Sequence, residues 1–150
     1  MGISKKQRKI IWEKSGGKCW YCGCDLPERG WHADHVNAVI RGSAIVKNKA
    51  GSMYSHRIVS TNEKLWPEND TIDNLVPACA PCNLFKSTYG LEFFRAEIAA
   101  QVDRARKSSV NFRTAERFGL VQAVDRPVVF WFEQERLAAA PQPKKEQRHD

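Results

Sequence analysis

The sequence predicts a small α+β domain closed by a four-cysteine zinc site, and three observations carry that expectation. Two Cys-x-x-Cys pairs, "CWYC" and "CAPC", frame a segment that contains strand-like sequence. Helical sequence precedes the first pair and follows the second. A composition of 42% hydrophobic and 27% charged residues over 150 positions suits one globular domain with a modest core, not a disordered or collagen-like chain.

Each element has a local reason. "SKKQRKIIWEKSGG" predicts a first helix: Ser4 can cap it, Ile10, Ile11 and Lys14 recur at helical spacing, and Gly16 and Gly17 stop it. "HADHVNAVI" alternates loosely enough for a strand. Pro81 suits the first turn of a helix that starts inside the second cysteine pair, with Asn83 and Lys86 three apart on one face. "LEFFRAEIAAQVDRARKS" sets Leu91, Phe94, Ile98 and Val102 on an apolar stripe, which is core rather than cofactor sequence. "FRTAERFGL" predicts a short helix closed by Gly119. "RPVVFWFEQ" predicts a short strand, with Phe130, Trp131 and Phe132 either joining the sheet, forming an apolar edge for self-association, or packing on the domain's own helix. The last residues, "PQPKKEQRHD", are polar and proline-containing and are expected to be disordered, which leaves one domain over residues 1–139 and a tail over 140–150.

Five cysteines are an odd number, and without a signal sequence they argue against a disulfide framework. Zinc takes four thiolates about 2.3 Å away, and a two-residue spacer turns both thiols of a pair toward one point. Cys19, Cys22, Cys79 and Cys82 therefore form a closed structural zinc site, and Cys24 is left as a free thiol beside it. The spacer between the pairs is far longer than the ~15–20 residues of a zinc ribbon, so something functional is expected inside the clasp.

The formal net charge is +7, and the pI is near 9.3. The excess is concentrated: Lys5, Lys6, Arg8, Lys9, Lys14 and Lys18 stand against Glu13 alone, and a second basic stretch runs from residue 84 to 120. Charge clustered on both sides of the cysteines suits a phosphate-binding surface, although a basic face kept for solubility has the same composition. No apolar run reaches membrane-span length and no hydrophobic signal core follows the basic N-terminus, so a soluble, cytoplasmic protein is expected.

Read in order, "CWYCG", "ADHV", "IDNLVPAC" and "CAPCNLFK" resemble the HNH, or ββα-metal (His-Me finger), endonucleases, similar to those of bacteria and their phages. The resemblance covers roughly residues 8 to 90, and the C-terminal extension over 91–139 lies beyond it. It implies a ββα-metal core and a metal-dependent cut in DNA, double-stranded as substrate. It also implies His35 as the general base, Asp34 and Asn83 as ligands of a catalytic Mg2+ or Mn2+, and Asn74 as the residue that pins the loop holding His35. Lys5, Arg8, Lys9, Arg41 and Lys86 are the candidate phosphate contacts. A ββα site handles one strand at a time, so a double-strand break requires a homodimer, two successive nicks or a partner. The chain departs from the commoner pattern at Asn83, where many members have His, and in the long stretch from His35 to Asn74. Such an insert is either a functional loop or a disordered one. His32 and His56 are additional ligand or base candidates. The alternatives are a catalytically inactive, zinc-stapled nucleic-acid-binding module and a protein-interaction zinc domain.

Overall fold

The structure is a computed structural model and describes residues 3–139, so the expected tail over 140–150 lies outside the described residues. α1 (Lys5–Glu13) opens with a capping box: the Ser4 hydroxyl accepts from the Gln7 amide, and the Gln7 side chain accepts from the Ser4 amide. Gly16 and Gly17, with φ of +58° and +81°, then turn the chain toward the first cysteine pair. Ile11 is fully buried, but Lys14 does not extend the apolar face. Its ammonium instead donates to the carbonyls of Ile72 (2.7 Å), Asp73 (3.1 Å) and Leu75 (2.8 Å), which ties α1 to the segment entering the second cysteine pair.

β1 (His32–His35) pairs antiparallel with β4 (Leu75–Ala78), with Asp34 opposite Val76 and His35 opposite Leu75. α2 (Ala80–Lys86) follows β4 almost directly, and Pro81 sits in its first turn as the sequence predicts. All four β4 residues are buried, which accounts for an unbroken apolar "LVPA" rather than an alternating pattern.

The insert is neither a loose loop nor part of this sheet. β2 (Ile40–Lys47) and β3 (His56–Leu65) form a separate two-stranded antiparallel hairpin with a register shift at Gly42, and a short 3-10 turn, Pro67–Asn69, leads back toward β4. The molecule is thus α+β with two small antiparallel sheets, consistent with the expected fold class.

The C-terminal part corrects the sequence reading in two places. The run expected as one helical stripe is two helices, α3 (Leu91–Ala99) and α4 (Gln101–Ser108), with Ala100 serving as C-cap of one and N-cap of the next. The expected short strand "RPVVFWFEQ" is absent: residues 121–130 have no regular structure, and α6 (Trp131–Ala139) begins inside the stretch read as β. Between them lies α5 (Val110–Arg117), capped by the Ser109 hydroxyl and followed by Gly119 at φ +70°.

The error at α6 has a physical cause. Phe130 and Phe132 are both buried, and burial two residues apart imitates a strand. The Glu133 carboxylate accepts from the Phe130 amide at 2.9 Å, a helix-starting cap, and pairs with Arg95 at 2.6 Å. The Trp131 amide donates to the Tyr21 carbonyl and the Phe132 amide to the Trp20 carbonyl, so the segment is docked on the cysteine knuckle. Phe132 stacks on Trp20 with centroids 5.2 Å apart, and Phe130 stacks on Phe94 at 5.5 Å and meets Tyr21 edge-on at 5.7 Å. Phe130 and Phe132 therefore close the chain's own core, and Trp131 packs half-buried at its margin.

Candidate metal centre and active-site cavity

Cys19, Cys22, Cys79 and Cys82 bring their sulfurs within 4.8 Å of one another. The Cys22 and Cys79 sulfurs are 3.8 Å apart, close to the edge of a tetrahedron drawn about 2.3 Å from a central zinc. The donor set and spacing therefore fit a metal such as zinc. Cys19 is wholly buried, and the Cys79 amide donates to its sulfur at 3.4 Å. Hydrogen bonding from the Cys82 thiol, with help from neighbouring backbone amides, pushes the Cys19 thiol down. Hydrogen bonding to Cys19 and burial push Cys82 up. Cys24 is exposed and stands outside the four-sulfur group. Cys79 is the N-cap of α2 and Cys82 lies in its first turn, so the cluster sits at the joint between β4 and α2.

A cavity of about 250 Å³ opens beside this joint, lined by Asp34 and His35 from β1, Asn83 from α2, Arg41 and Lys64 from the foot of the hairpin, and Asp70 from the return loop. The three residues expected to share a site, Asp34, His35 and Asn83, thus do line one cavity. Asn74 stands outside it and acts on the backbone. Its amide nitrogen donates to the carbonyls of Asn37 (2.8 Å) and Asn69 (2.7 Å), and its oxygen accepts from the Asn37 amide (2.9 Å). Three bonds from one side chain fix the turn after His35 to the loop carrying Asp70.

Asp34 is buried. Its Oδ2 accepts from the Tyr21 hydroxyl at 2.6 Å and forms an ion pair with Lys86 at 3.1 Å, which leaves Oδ1 as the oxygen engaged by neither. Burial first, and the Asp34 carboxylate second, push the Tyr21 phenol far above its ordinary range, so it remains a donor. His35 Nε2 lies 3.1 Å from Asp70 Oδ1, and the other Asp70 oxygen is held by Lys64. Lys64, and after it His35, holds the Asp70 carboxyl below the usual carboxylate range.

Lys86 requires a correction. Expected to contact phosphate at the surface, it is fully buried, and its ammonium donates to the His35 carbonyl at 2.7 Å besides pairing with Asp34. It braces β1 from beneath. Arg8 is also largely committed: its guanidinium lies 4.0 Å from the Trp31 ring centroid and donates to the Trp31 carbonyl at 2.9 Å. Lys5 and Lys9 are exposed along α1, and Arg41 is exposed at the cavity rim. His32 is exposed and does not line the cavity, while His56 stands at the far end of the hairpin against the Ser55 hydroxyl.

Sequence reasoning missed Tyr21 and Asp70, whereas Lys64 belongs to the insert whose lysines the sequence offers as phosphate contacts. Tyr21 was readable only as a spacer between cysteines, and Asp70 meets His35 across 35 residues with no periodic signal to link them. No helix among the described residues is long and apolar enough to cross a membrane. Comparison with known protein families, with curated proteins and with solved structures finds no match to this chain.

Proposed function

We propose that this chain is a metal-dependent HNH endonuclease that hydrolyses DNA phosphodiester bonds, its β1–β4 pair and α2 forming a ββα-metal core stapled by zinc. The observation that carries the reading is one cavity holding an imidazole, a buried carboxylate and a side-chain amide, with Arg41 and Lys64 at its rim. Neutral imidazole has one donor and one acceptor nitrogen. With Nε2–H donating to Asp70, the lone pair of His35 falls on Nδ1, the atom that takes the proton from water. Asp34 and Asn83 supply hard oxygen donors suited to Mg2+ or Mn2+, and such an ion stabilises charge on the leaving oxygen. Arg41 and Lys64 hold the phosphate, and Lys86 and Asn74 keep the His35 backbone in place.

A second reading has its own observation. The Lys86 ammonium already neutralises Asp34, which suits an inactive zinc-stapled nucleic-acid-binding module equally well. Supercoiled-plasmid cleavage with magnesium, manganese or no added metal, run beside His35→Ala, separates the two. Metal-dependent nicking that vanishes in the variant is expected. Plasmid bound but left intact under every metal favours the second reading.

A further inference from the structure

We infer that the β2–β3 hairpin is a docking arm that lies in the major groove of B-form DNA beside the cavity. The inference deepens the proposed nuclease reading and rests on it for the position of the cut. The hairpin is a sheet of its own, joined to the other strands by no ladder. Its register sets Arg41 opposite Lys64, Ser43 opposite Ser60, Ile45 opposite Ile58 and Lys47 opposite His56. Residues directly opposite share a face, and along β2 that face is exposed at every second position.

Two features of the face point to its occupant. Ile45 and Ile58 are 73% and 74% exposed, a pair of branched apolar side chains held in water at the centre of the ribbon. The hairpin also carries Arg41, Lys47, Lys49, Arg57 and Lys64 against Glu63 alone. A second copy of the chain would bring the same positive charge to its partner, whereas a polyphosphate complements it. The face starts at Arg41 and Lys64 on the cavity rim, so a duplex lying along it passes the reactive groups. An eight-residue strand spans about 27 Å, or roughly eight base pairs, and the major groove is wide enough for a two-stranded ribbon. In that groove the lysines reach phosphates, and Ile45 and Ile58 meet the methyl groups of thymine. The far end is built to keep its shape: Asn48 bonds the Tyr54 carbonyl and the Ser55 carbonyl across the turn.

The test is fluorescence anisotropy with short duplexes, on the full chain carrying His35→Ala so that no substrate is consumed. Lys47→Ala/Lys49→Ala should weaken binding at least tenfold at low salt and make the dependence of log K on log salt shallower by about two. Replacing thymine by uracil in a dA·dT duplex should weaken binding about fourfold for each methyl contact. An RNA duplex of the same length, whose deep and narrow major groove excludes a ribbon, should bind more weakly. Unchanged affinity and salt slope in the double lysine variant overturn the inference, as does equal binding of the RNA duplex. So does a concentration-dependent dimer that Ile45→Ser/Ile58→Ser dissolves. The nuclease reading fails separately, through absence of plasmid cleavage by the wild-type chain, and either can fall while the other stands.

Discussion

Lys86→Met tests the brace beneath the cavity. The ammonium is fully buried and sits between Asp34 Oδ2 at 3.1 Å and the His35 carbonyl at 2.7 Å. Methionine keeps most of the volume, so the loss is electrostatic rather than a cavity. It leaves Asp34, itself 7% exposed, with the Tyr21 hydroxyl as its remaining donor, and it removes the side-chain donor to the His35 carbonyl. Removing one partner of a buried ion pair costs about 3–5 kcal/mol, a large part of the ~5–15 kcal/mol that holds a domain together. At about 2–4 °C per kcal/mol for a chain of this size, the melting temperature should fall by roughly 6–20 °C. Asp34→Asn/Lys86→Met removes both charges and should recover much of the loss, giving a clear coupling in the double-mutant cycle. Magnesium supplies a second readout. If Asp34 holds a cation, added magnesium should raise the melting temperature of Lys86→Met more than that of the wild type, because the ion replaces the missing charge. Differential scanning calorimetry measures all of these. A Lys86→Met protein melting within about 2 °C of wild type, or strictly additive single variants, would refute the assignment of Lys86 as the counter-charge of Asp34.

Three further outcomes are expected. Cys82→Ser should abolish bound zinc by elemental analysis and leave the chain largely unfolded, since a structural zinc contributes on the order of 10 kcal/mol to folding, whereas Cys24→Ser should retain both metal and fold. Asp70→Asn should lower plasmid nicking about 10–100-fold by freeing the His35 ring. Because the Asp70 pKa is depressed in the folded state, its stabilisation is present above the unfolded carboxylate value near 4 and lost as pH falls through the lower folded value. The melting difference between wild type and Asp70→Asn should therefore be full at neutral pH and shrink on acidification below about pH 4; a constant difference argues against the contact. Phe130→Ala should cost about 3–5 kcal/mol, because its ring fills the space between Tyr21, Phe94 and Phe132, and little change in melting would mean that the C-terminal segment is not docked on the knuckle.

Local chemistry made part of this molecule legible. The Ser4 cap, the glycine stop after α1, Pro81 at the start of α2 and the Gly119 closure all depend on interactions within a few residues, and all are present in the structure. Their physics is short-ranged, so spacing alone encodes it. The C-terminal segment failed for the opposite reason. Phe130 and Phe132 show burial at strand spacing, but Trp20, Tyr21, Phe94 and Arg95 decide whether that spacing becomes a strand or the entry to a helix. Propensity yields to packing where the neighbours are distant in sequence.

The same division runs through the candidate site. By itself the sequence determined the four-cysteine set, because a thiol pair two residues apart has few other uses, and it marked Asp34, His35 and Asn83 through motif order. Only the tertiary structure decided what surrounds them. It turned Lys86 from a surface cation into a buried counter-charge and set Tyr21 on Asp34. It also brought Asp70 to His35 and raised the insert into a free-standing hairpin. Ligand spacing is a property of the chain over a few bonds, whereas burial and charge pairing are properties of space, fixed only when segments dozens of residues apart pack together.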